Sequence, residues 1–151
     1  MRIPEEVVIE KTIENWHRYL RGEFRGGLDE LLAEDVVFYS PIVFSPQKGK
    51  ELTKLYLNAA GATFGDSGED ATTSEEKLPS KFRYSKQTLT GNHAILEFET
   101  ELRGKYVNGV DIITCNDEGK IVEFKVMIRP LQAVNLMHEL MASMLEKMKA
   151  R

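Results

Sequence analysis

The sequence has little of several residue types on which whole classes of protein depend. Its one cysteine, Cys115, excludes a disulfide within the chain and a zinc site built from several cysteines. Basic residues are not in excess, because 20 Lys and Arg stand against 24 Asp and Glu, and this balance argues against a nucleic-acid partner. No apolar run approaches the roughly 18 residues that cross a bilayer. We therefore expect no nucleic-acid partner and no membrane partner.

Motifs for cofactors and for secretion are also missing. The histidines, His17, His93 and His138, lack the i,i+4 or H-x-H spacing of a metal site, so the sequence predicts no metal ion. There is no glycine-rich phosphate loop and no G-x-S-x-G motif, and we expect neither a cofactor nor a nucleophilic serine. Residues 1–6 (MRIPEE) lack the apolar core of a signal peptide, and we expect a cytoplasmic protein.

What the chain does contain is a regular succession of helix and strand patterns over 151 residues, the size of a single domain spanning residues 1–151. Ile9, Ile13 and Trp16 fall on one face of a helix predicted over residues 4–21. Apolar stripes and turn residues predict the following elements: a short helix over 28–33, a strand over 36–39, a loop over 45–49, a helix over 50–64, a polar loop over 65–79 and a helix over 131–149.

Residues 81–129 change to a period of two, which is typical of strands. Leu96 and Phe98, for example, alternate with Glu97 and Glu99. Turn signals divide the segment into four strands joined as consecutive hairpins, and they lie at residues 91–92, 103–104 and 116–119. Helices followed by an antiparallel meander predict an α+β fold in which the helices cover one face of the sheet. The concave face would then hold a pocket, or the same apolar residues would fill a solid core.

Two segments, residues 31–41 (LLAEDVVFYSP) and 109–123 (GVDIITCNDEGKIVE), resemble the nuclear transport factor 2-like superfamily. Its members include ketosteroid isomerase, scytalone dehydratase, limonene epoxide hydrolase and the SnoaL-like polyketide cyclases. The run at 126–131 (VMIRPL) resembles a SnoaL-like group of unassigned activity. The resemblance implies a cone-shaped curved antiparallel sheet wrapped round the N-terminal helices, here with an extra C-terminal helix. It also implies a blind apolar cavity and a homodimer packed through the outer face of the sheet.

The same resemblance implies roles for particular residues of this chain. Ketosteroid isomerase-like members carry a carboxylic acid at the position of Asp111 and a general base at the position of Ser40, so a steroid-type proton shuttle through Ser40 is disfavoured. Epoxide hydrolase-like members need an arginine where this chain has Gly109, and that chemistry is disfavoured too. The phenolic donor that ketosteroid isomerase carries on its first helix would fall near Trp16 or Tyr19.

The sequence neighbours of Asp111 also favour this residue as a functional acid. Asp111 stands among Val110, Ile112 and Ile113, so we expect its carboxyl to be desolvated, with a raised pKa that suits a general acid or hydrogen-bond donor. The alternative is a buried aspartate satisfied by a hydroxyl or a backbone amide. His17 lies at the flank of the buried helical stripe, where it would form an acid–base pair with Asp111 or would be a boundary histidine bonded to a neighbour.

Two surfaces could form contacts between two copies of the chain. The acidic row of Glu97, Glu99 and Glu101 is either a solvated face or is answered by Lys125 and Arg129 across a twofold interface. The methionines of the last helix suit a lid over an apolar ligand, a dimer seam or ordinary core packing.

The sequence thus predicts a protein that binds a small apolar molecule in an internal pocket. Cofactor-free isomerisation, cyclisation or dehydration would use Asp111 as the acid, with His17 or Tyr19 assisting. The predicted ligand-binding side chains are Trp16, Phe38, Ser40, Tyr56, Phe98, Phe124 and Ile128. The rival prediction is a non-catalytic module that binds an apolar ligand or a protein partner.

Overall fold

Residues 7–64 and 81–149 are described by the computed structural model, and they form four helices and six strands. In chain order these are α1 (Val8–Leu20), α2 (Gly27–Leu31), β1 (Leu32–Tyr39), β2 (Gln47–Lys48), α3 (Lys50–Phe64), β3 (Arg83–Thr90), β4 (His93–Leu102), β5 (Lys105–Cys115), β6 (Ile121–Arg129) and α4 (Leu131–Lys149). Two predictions fall outside the described residues, namely the start of the first helix at residues 4–6 and the polar loop over 65–79.

One six-stranded sheet in the order β2-β1-β6-β5-β4-β3 forms the scaffold. β3 to β6 are antiparallel neighbours, which confirms the four strands and their consecutive hairpins. β1 runs parallel to β6, with Phe38 opposite Phe124, so the sheet is mixed where an antiparallel one was predicted. The sheet is not closed, since β2 and β3 form its two edges. The α+β class, with the sheet against helices and an additional C-terminal helix, is confirmed.

The boundaries differ from prediction around the first strand. The short helix ends at Leu31, and β1 begins at Leu32, where a helix had been predicted as far as residue 33. Leu and Ala at these positions favour a helix locally, but Leu32 is buried and pairs with Ile121 of β6. Tertiary packing therefore overrides local propensity. β2 lies within the predicted loop, because Gln47 pairs with Phe38 of β1.

The inner face of the sheet carries the core. Alternate residues of β4 are buried, as the period of two predicts. α1 packs on this face through the predicted stripe of Ile9, Ile13 and Trp16, all buried. A second cluster joins α3 and α4 to the far end of the sheet, where Ala59 and Met137 are buried together. The two clusters leave a hollow between them, which is the cavity described below.

The outer face of the sheet carries the acidic row. Arg83 bonds Glu99 at 2.7 Å, and Lys81 bonds Glu101 at 3.1 Å, so basic residues in and beside β3 pair with the row within one chain. Arg129, which the sequence offered together with Lys125 as a partner of this row across an interface, donates within the chain to Asn108 at 3.2 Å. The outer face is therefore organised by intramolecular ion pairs on the side of β3.

Candidate functional site

A cavity of about 790 Å³ lies between the inner face of the sheet and helices α1, α3 and α4. Its size is that of a site for a small organic molecule. Exposed residues such as Arg21 after α1 and Asn58 and Gly61 on α3 mark its mouth. Aromatic side chains make up much of the wall, namely Trp16, Phe38, Phe64, Phe82, Phe98 and Phe124. An apolar molecule of several rings or branches would therefore find a matching surface.

Asp111 lies in this wall, on the inner face of β5, and the residue is only 6% exposed. Its cross-strand neighbours are Leu96 on β4 and Val126 on β6, which cannot solvate a charge. Burial raises the pKa of the Asp111 carboxyl to about 7, and a hydrogen bond from Tyr84 opposes part of that rise. The carboxyl therefore exchanges its proton near neutral pH, as a general acid must.

Tyr84 of β3 holds one oxygen of this carboxyl. Its hydroxyl donates to Asp111 Oδ2 at 2.6 Å, while Oδ1 has no hydrogen-bond partner among the described residues. Burial and the neighbouring Asp111 carboxyl raise the pKa of Tyr84 well above its ordinary value, so the phenol keeps its proton. Trp16 Nε1 in turn donates to Tyr84 Oη at 3.0 Å. A chain of two hydrogen bonds thus runs from α1 through β3 to β5.

The two other predicted catalytic residues lie on the same wall. His17 Nε2 donates to Gln87 Oε1 at 2.9 Å, and its ring meets the ring of Tyr84 edge-on, with the centroids 5.4 Å apart. Tyr19 stacks on Trp16 with the centroids 5.6 Å apart, and burial raises the pKa of its phenol. The structure therefore brings both residues to the cavity, but Asp111 is bonded to Tyr84 and to neither of them.

The predicted ligand-binding residues divide into two groups. Five of them line the cavity, namely Trp16, Phe38, Phe98, Phe124 and Ile128. Ser40 lies in the turn after β1, where its Oγ accepts hydrogen bonds from the amides of Ile42 and Val43, so the turn occupies its hydroxyl. Tyr56 packs behind the wall against Phe38, with the ring centroids 5.7 Å apart. The structure does not bring these two side chains to the wall.

Gly109 stands where the structure leaves little space for a side chain. A Cβ at this position would lie 2.5 Å from Phe98 Cζ and 2.5 Å from the carbonyl oxygen of Met127. Real Cβ atoms do not approach so closely, and the Phe98 ring is fixed by its neighbours in the wall. The arginine that epoxide hydrolase-like proteins need at this place therefore has no room.

Sequence reasoning missed Tyr84 as the partner of Asp111. The spacing of Phe82 and Tyr84, two residues apart, is typical of side chains that point to one face of a strand. It could not show which side chain on another strand the phenol would meet, because that depends on the order of β3, β4 and β5 in the sheet. Met137 and Met141 of α4 also reach the cavity wall, so the final helix forms part of the site.

The described part of the chain offers no alternative centre of metal chemistry. Within residues 7–64 and 81–149, no group of three His, Cys, Asp or Glu side chains is placed to hold a metal ion. Cys115 is buried, and burial raises the pKa of its thiol, so it is a packing residue. No helix among these residues has the length and apolarity needed to span a membrane.

Comparison with known proteins supports the fold and its family. No protein-family model matches the chain, and no curated protein matches it. Among solved structures, a steroid delta-isomerase from Pseudomonas aeruginosa is 28% identical and superimposes with a TM-score of 0.78 over 99% of this chain and 100% of that chain. An uncharacterised protein with a cystatin-like fold from Silicibacter pomeroyi is 28% identical, with a TM-score of 0.71 over 87% of this chain and 83% of that one.

A third solved structure shows the same fold at lower identity. This NTF2-like protein of unknown function from Mesorhizobium loti is 19% identical, with a TM-score of 0.62 over 85% of this chain and 98% of that chain. Similarity to solved proteins therefore extends over nearly the whole length of the chain, which includes the mixed sheet, the helices on its inner face and the cavity between them. The chain belongs to the nuclear transport factor 2-like superfamily.

Proposed function

We propose that the protein binds a small apolar molecule that carries an acceptor oxygen, such as a ketone, and that protonated Asp111 donates a hydrogen bond to this oxygen. One observation carries the proposal. The only carboxyl on the described wall of an apolar cavity has a pKa of about 7, and one of its oxygens has no hydrogen-bond partner among the residues that the structure describes. A neutral carboxylic acid in an apolar site is a strong hydrogen-bond donor to a carbonyl oxygen.

The reaction that this site supports best is a cofactor-free transfer of a proton. When a proton leaves the carbon beside a carbonyl, negative charge develops on the carbonyl oxygen, and the donor on Asp111 stabilises that charge. The proton then returns to another carbon in an isomerisation, or a leaving group departs in a dehydration. The similarity to a structure described as a steroid delta-isomerase supports an isomerase of this kind.

His17 is the residue of the described wall that can accept the proton. In a neutral imidazole whose Nε2 proton is donated to Gln87 Oε1, the lone pair is on Nδ1. Ser40, at the position where steroid isomerase-like proteins carry their base, is occupied by its own turn. We therefore assign the acid to Asp111 and the base to His17, with Tyr19 as a wall residue.

A non-catalytic binding protein is the second candidate, and a specific observation favours it. Asp111 is the one carboxyl on the described wall, and His17 lies near the exposed surface with its Nε2 engaged by Gln87. A site with a strong donor and no base in contact with the reacting carbon would bind ketones without converting them. The two candidates share the cavity and the donor, and they differ in whether a carbon–hydrogen bond is broken.

We also propose that two copies of the chain pair through the outer face of the sheet. Met127 is 51% exposed and Ile95 is 46% exposed on this face. Val110 lies opposite Met127, and Ile112 lies opposite Ile95, so the four side chains form one apolar patch on adjacent strands. An exposed patch of this kind on a sheet is typical of a surface that another protein covers.

The fluorescent naphthyl ketone prodan tests the function because it is apolar, carries one carbonyl oxygen and has exchangeable hydrogens beside it. We expect binding whose affinity falls about tenfold for each pH unit above about pH 7, because ionised Asp111 cannot donate. Asp111→Asn keeps a donor but has no titration, so its affinity should be independent of pH. His17→Gln should keep the pH dependence of the wild type.

The same probe separates the two candidate functions. In deuterium oxide, an enzyme of the proposed kind incorporates deuterium beside the carbonyl of prodan, and His17→Gln slows this exchange by about 100-fold. A binding protein retains prodan without accelerating exchange. Failure of the wild type to bind prodan, or a pH dependence that persists in Asp111→Asn, contradicts the proposal.

A further inference from the structure

The hydrogen-bond chain from Trp16 to Asp111 has a fixed direction. An indole N–H can only donate, so Tyr84 Oη must accept from Trp16 Nε1, 3.0 Å away. The hydroxyl proton of Tyr84 then needs an acceptor, and Asp111 Oδ2 at 2.6 Å is the one that the described residues offer. Turning this proton away from Asp111 would leave a buried donor without a partner, which costs about 1–3 kcal/mol.

This direction decides where Asp111 carries its own proton. Oδ2 accepts from Tyr84, so in the protonated acid the proton is on Oδ1, the oxygen without a partner among the described residues. We infer that Trp16 and Tyr84 are positioning residues that confine the proton of Asp111 to Oδ1 and present it to the ligand. This inference rests on the proposed function and adds to it how the donor is oriented.

The arrangement also limits what the ligand can be. Tyr84 uses its proton on Asp111 and accepts from Trp16, so its hydroxyl is not available to donate to a ligand. Of the pair Tyr84 and Asp111, the donor that the described wall presents to a ligand is therefore Asp111 Oδ1. A ligand with an acceptor oxygen fits this donor.

Apart from Asp111, no charged side chain of the described wall takes part in the hydrogen-bond chain that links Trp16, Tyr84 and Asp111. From α1, the titratable side chains of the wall are His17 and Tyr19; from β3, they are Tyr84 and Arg83. β4 and β6 place Leu96 and Val126 opposite Asp111. α3 contributes no titratable side chain to the described wall, and α4 contributes Met137 and Met141.

The arginines at the edge of the wall are engaged by carboxylates. Arg21 Nε bonds Glu23 at 3.0 Å, and Arg83 bonds Glu99 at 2.7 Å. The hydrogen-bond chain should therefore transmit the titration of Asp111 to the indole of Trp16. Because His17 is next to Trp16 in sequence, the experiment needs a control variant at His17.

The single tryptophan of the chain makes this testable without any ligand. Its indole N–H gives one ¹⁵N–¹H resonance, assigned to Trp16 without further labelling. When Asp111 ionises, it pulls the Tyr84 proton more strongly, so Tyr84 Oη becomes a better acceptor and the indole proton should move downfield. We expect one titration of this resonance, with a midpoint at about pH 7.

Four variants define the outcome. Asp111→Asn and Tyr84→Phe should each abolish the titration, because one removes the ionisation and the other removes the link. Tyr19→Phe, which deletes a phenol stacked on the same indole, and His17→Gln should both retain it. A resonance that does not move between about pH 5 and about pH 9, or a titration that persists in Tyr84→Phe or Asp111→Asn, overturns the inference.

The result is independent of the test of function. If prodan does not bind but the indole titrates as expected, the proposed function fails while the link between Trp16 and Asp111 stands. If prodan binds with the expected pH dependence but the indole does not titrate, the positioning role fails alone.

Discussion

Tyr84 donates a 2.6 Å hydrogen bond to Asp111 from two strands away, because β4 lies between β3 and β5 in the sheet. Tyr84 is opposite Phe98, and Phe98 is opposite Gly109 on the strand of Asp111. Since Gly109 has no side chain, the Phe98 ring lies over it as part of the aromatic wall. The position of Asp111 in the cavity wall relative to Tyr84 thus depends on a pairing order that involves three strands.

Asp111→Asn should change how stability depends on pH. Because the folded pKa of about 7 exceeds the unfolded value of about 4, the folded protein binds more protons between these values. The contribution of Asp111 to stability is therefore complete below about pH 4 and declines as pH rises to about 7, by about 4 kcal/mol in total. Urea unfolding should show the wild type losing this amount relative to Asp111→Asn over that range.

A matched control for this experiment is Asp29→Asn. Asp29 is exposed, and its hydrogen bond with Lys54 lowers the pKa of its carboxyl, so its contribution is lost as pH falls. The two variants should thus depart from the wild type in opposite directions along the pH scale. An Asp111→Asn difference that stays constant with pH contradicts the raised pKa.

Tyr84→Phe should destabilise the protein by about 1–3 kcal/mol at pH 5, since it leaves Trp16 Nε1 and Asp111 Oδ2 without their partner. It should also raise the pKa of Asp111 further, because the Tyr84 hydrogen bond lowers that pKa. Chemical denaturation measures the first effect. Tyr19→Phe removes a phenol with no such link and should change the free energy of unfolding by less than about 0.5 kcal/mol.

Two glycine substitutions should have opposite effects on thermal stability. Gly109→Ala places a Cβ 2.5 Å from Phe98 Cζ and should destabilise the fold by about 1–3 kcal/mol. Gly61→Ala, within α3, places a Cβ in open space and should stabilise the helix by about 0.5–1 kcal/mol. Calorimetry of both variants checks the pair; equal melting temperatures would show that Phe98 can move away from residue 109.

Met127→Glu should convert the proposed dimer to a monomer, because it places a charge in the centre of the outer apolar patch. Light scattering after size-exclusion chromatography measures the mass directly. Ala142→Glu, on an exposed position of α4, introduces the same charge away from the sheet and should leave the dimer intact. A wild-type protein that is monomeric at micromolar concentration contradicts this part of the proposal.

The fold was predictable from the sequence to the extent that it depends on local periodicity. The alternation of Leu96 and Phe98 with glutamates gave β4, and turn residues gave its hairpins. The parallel pairing of β1 with β6 was not predictable in this way, because Leu32 and Ile121 are far apart in sequence and their contact is tertiary.

The candidate site was predictable only in part for the same reason. The apolar neighbours of Asp111 in sequence indicated a desolvated carboxyl, and its burial in the structure agrees with that reasoning. Nothing in the spacing of residues showed that Tyr84 would bond it or that Trp16 would bond Tyr84. Ser40 illustrates the opposite problem, since the resemblance placed it at a reactive position while its hydroxyl in fact closes a turn.

The most direct test of the account is a ¹³C NMR titration of the Asp111 carboxyl in the unliganded protein, with the resonance identified by its absence from Asp111→Asn. The account predicts a midpoint at about pH 7. A midpoint near the ordinary value of about 4 would show a solvated carboxylate, which could not donate to a ligand at neutral pH and would contradict the proposed site.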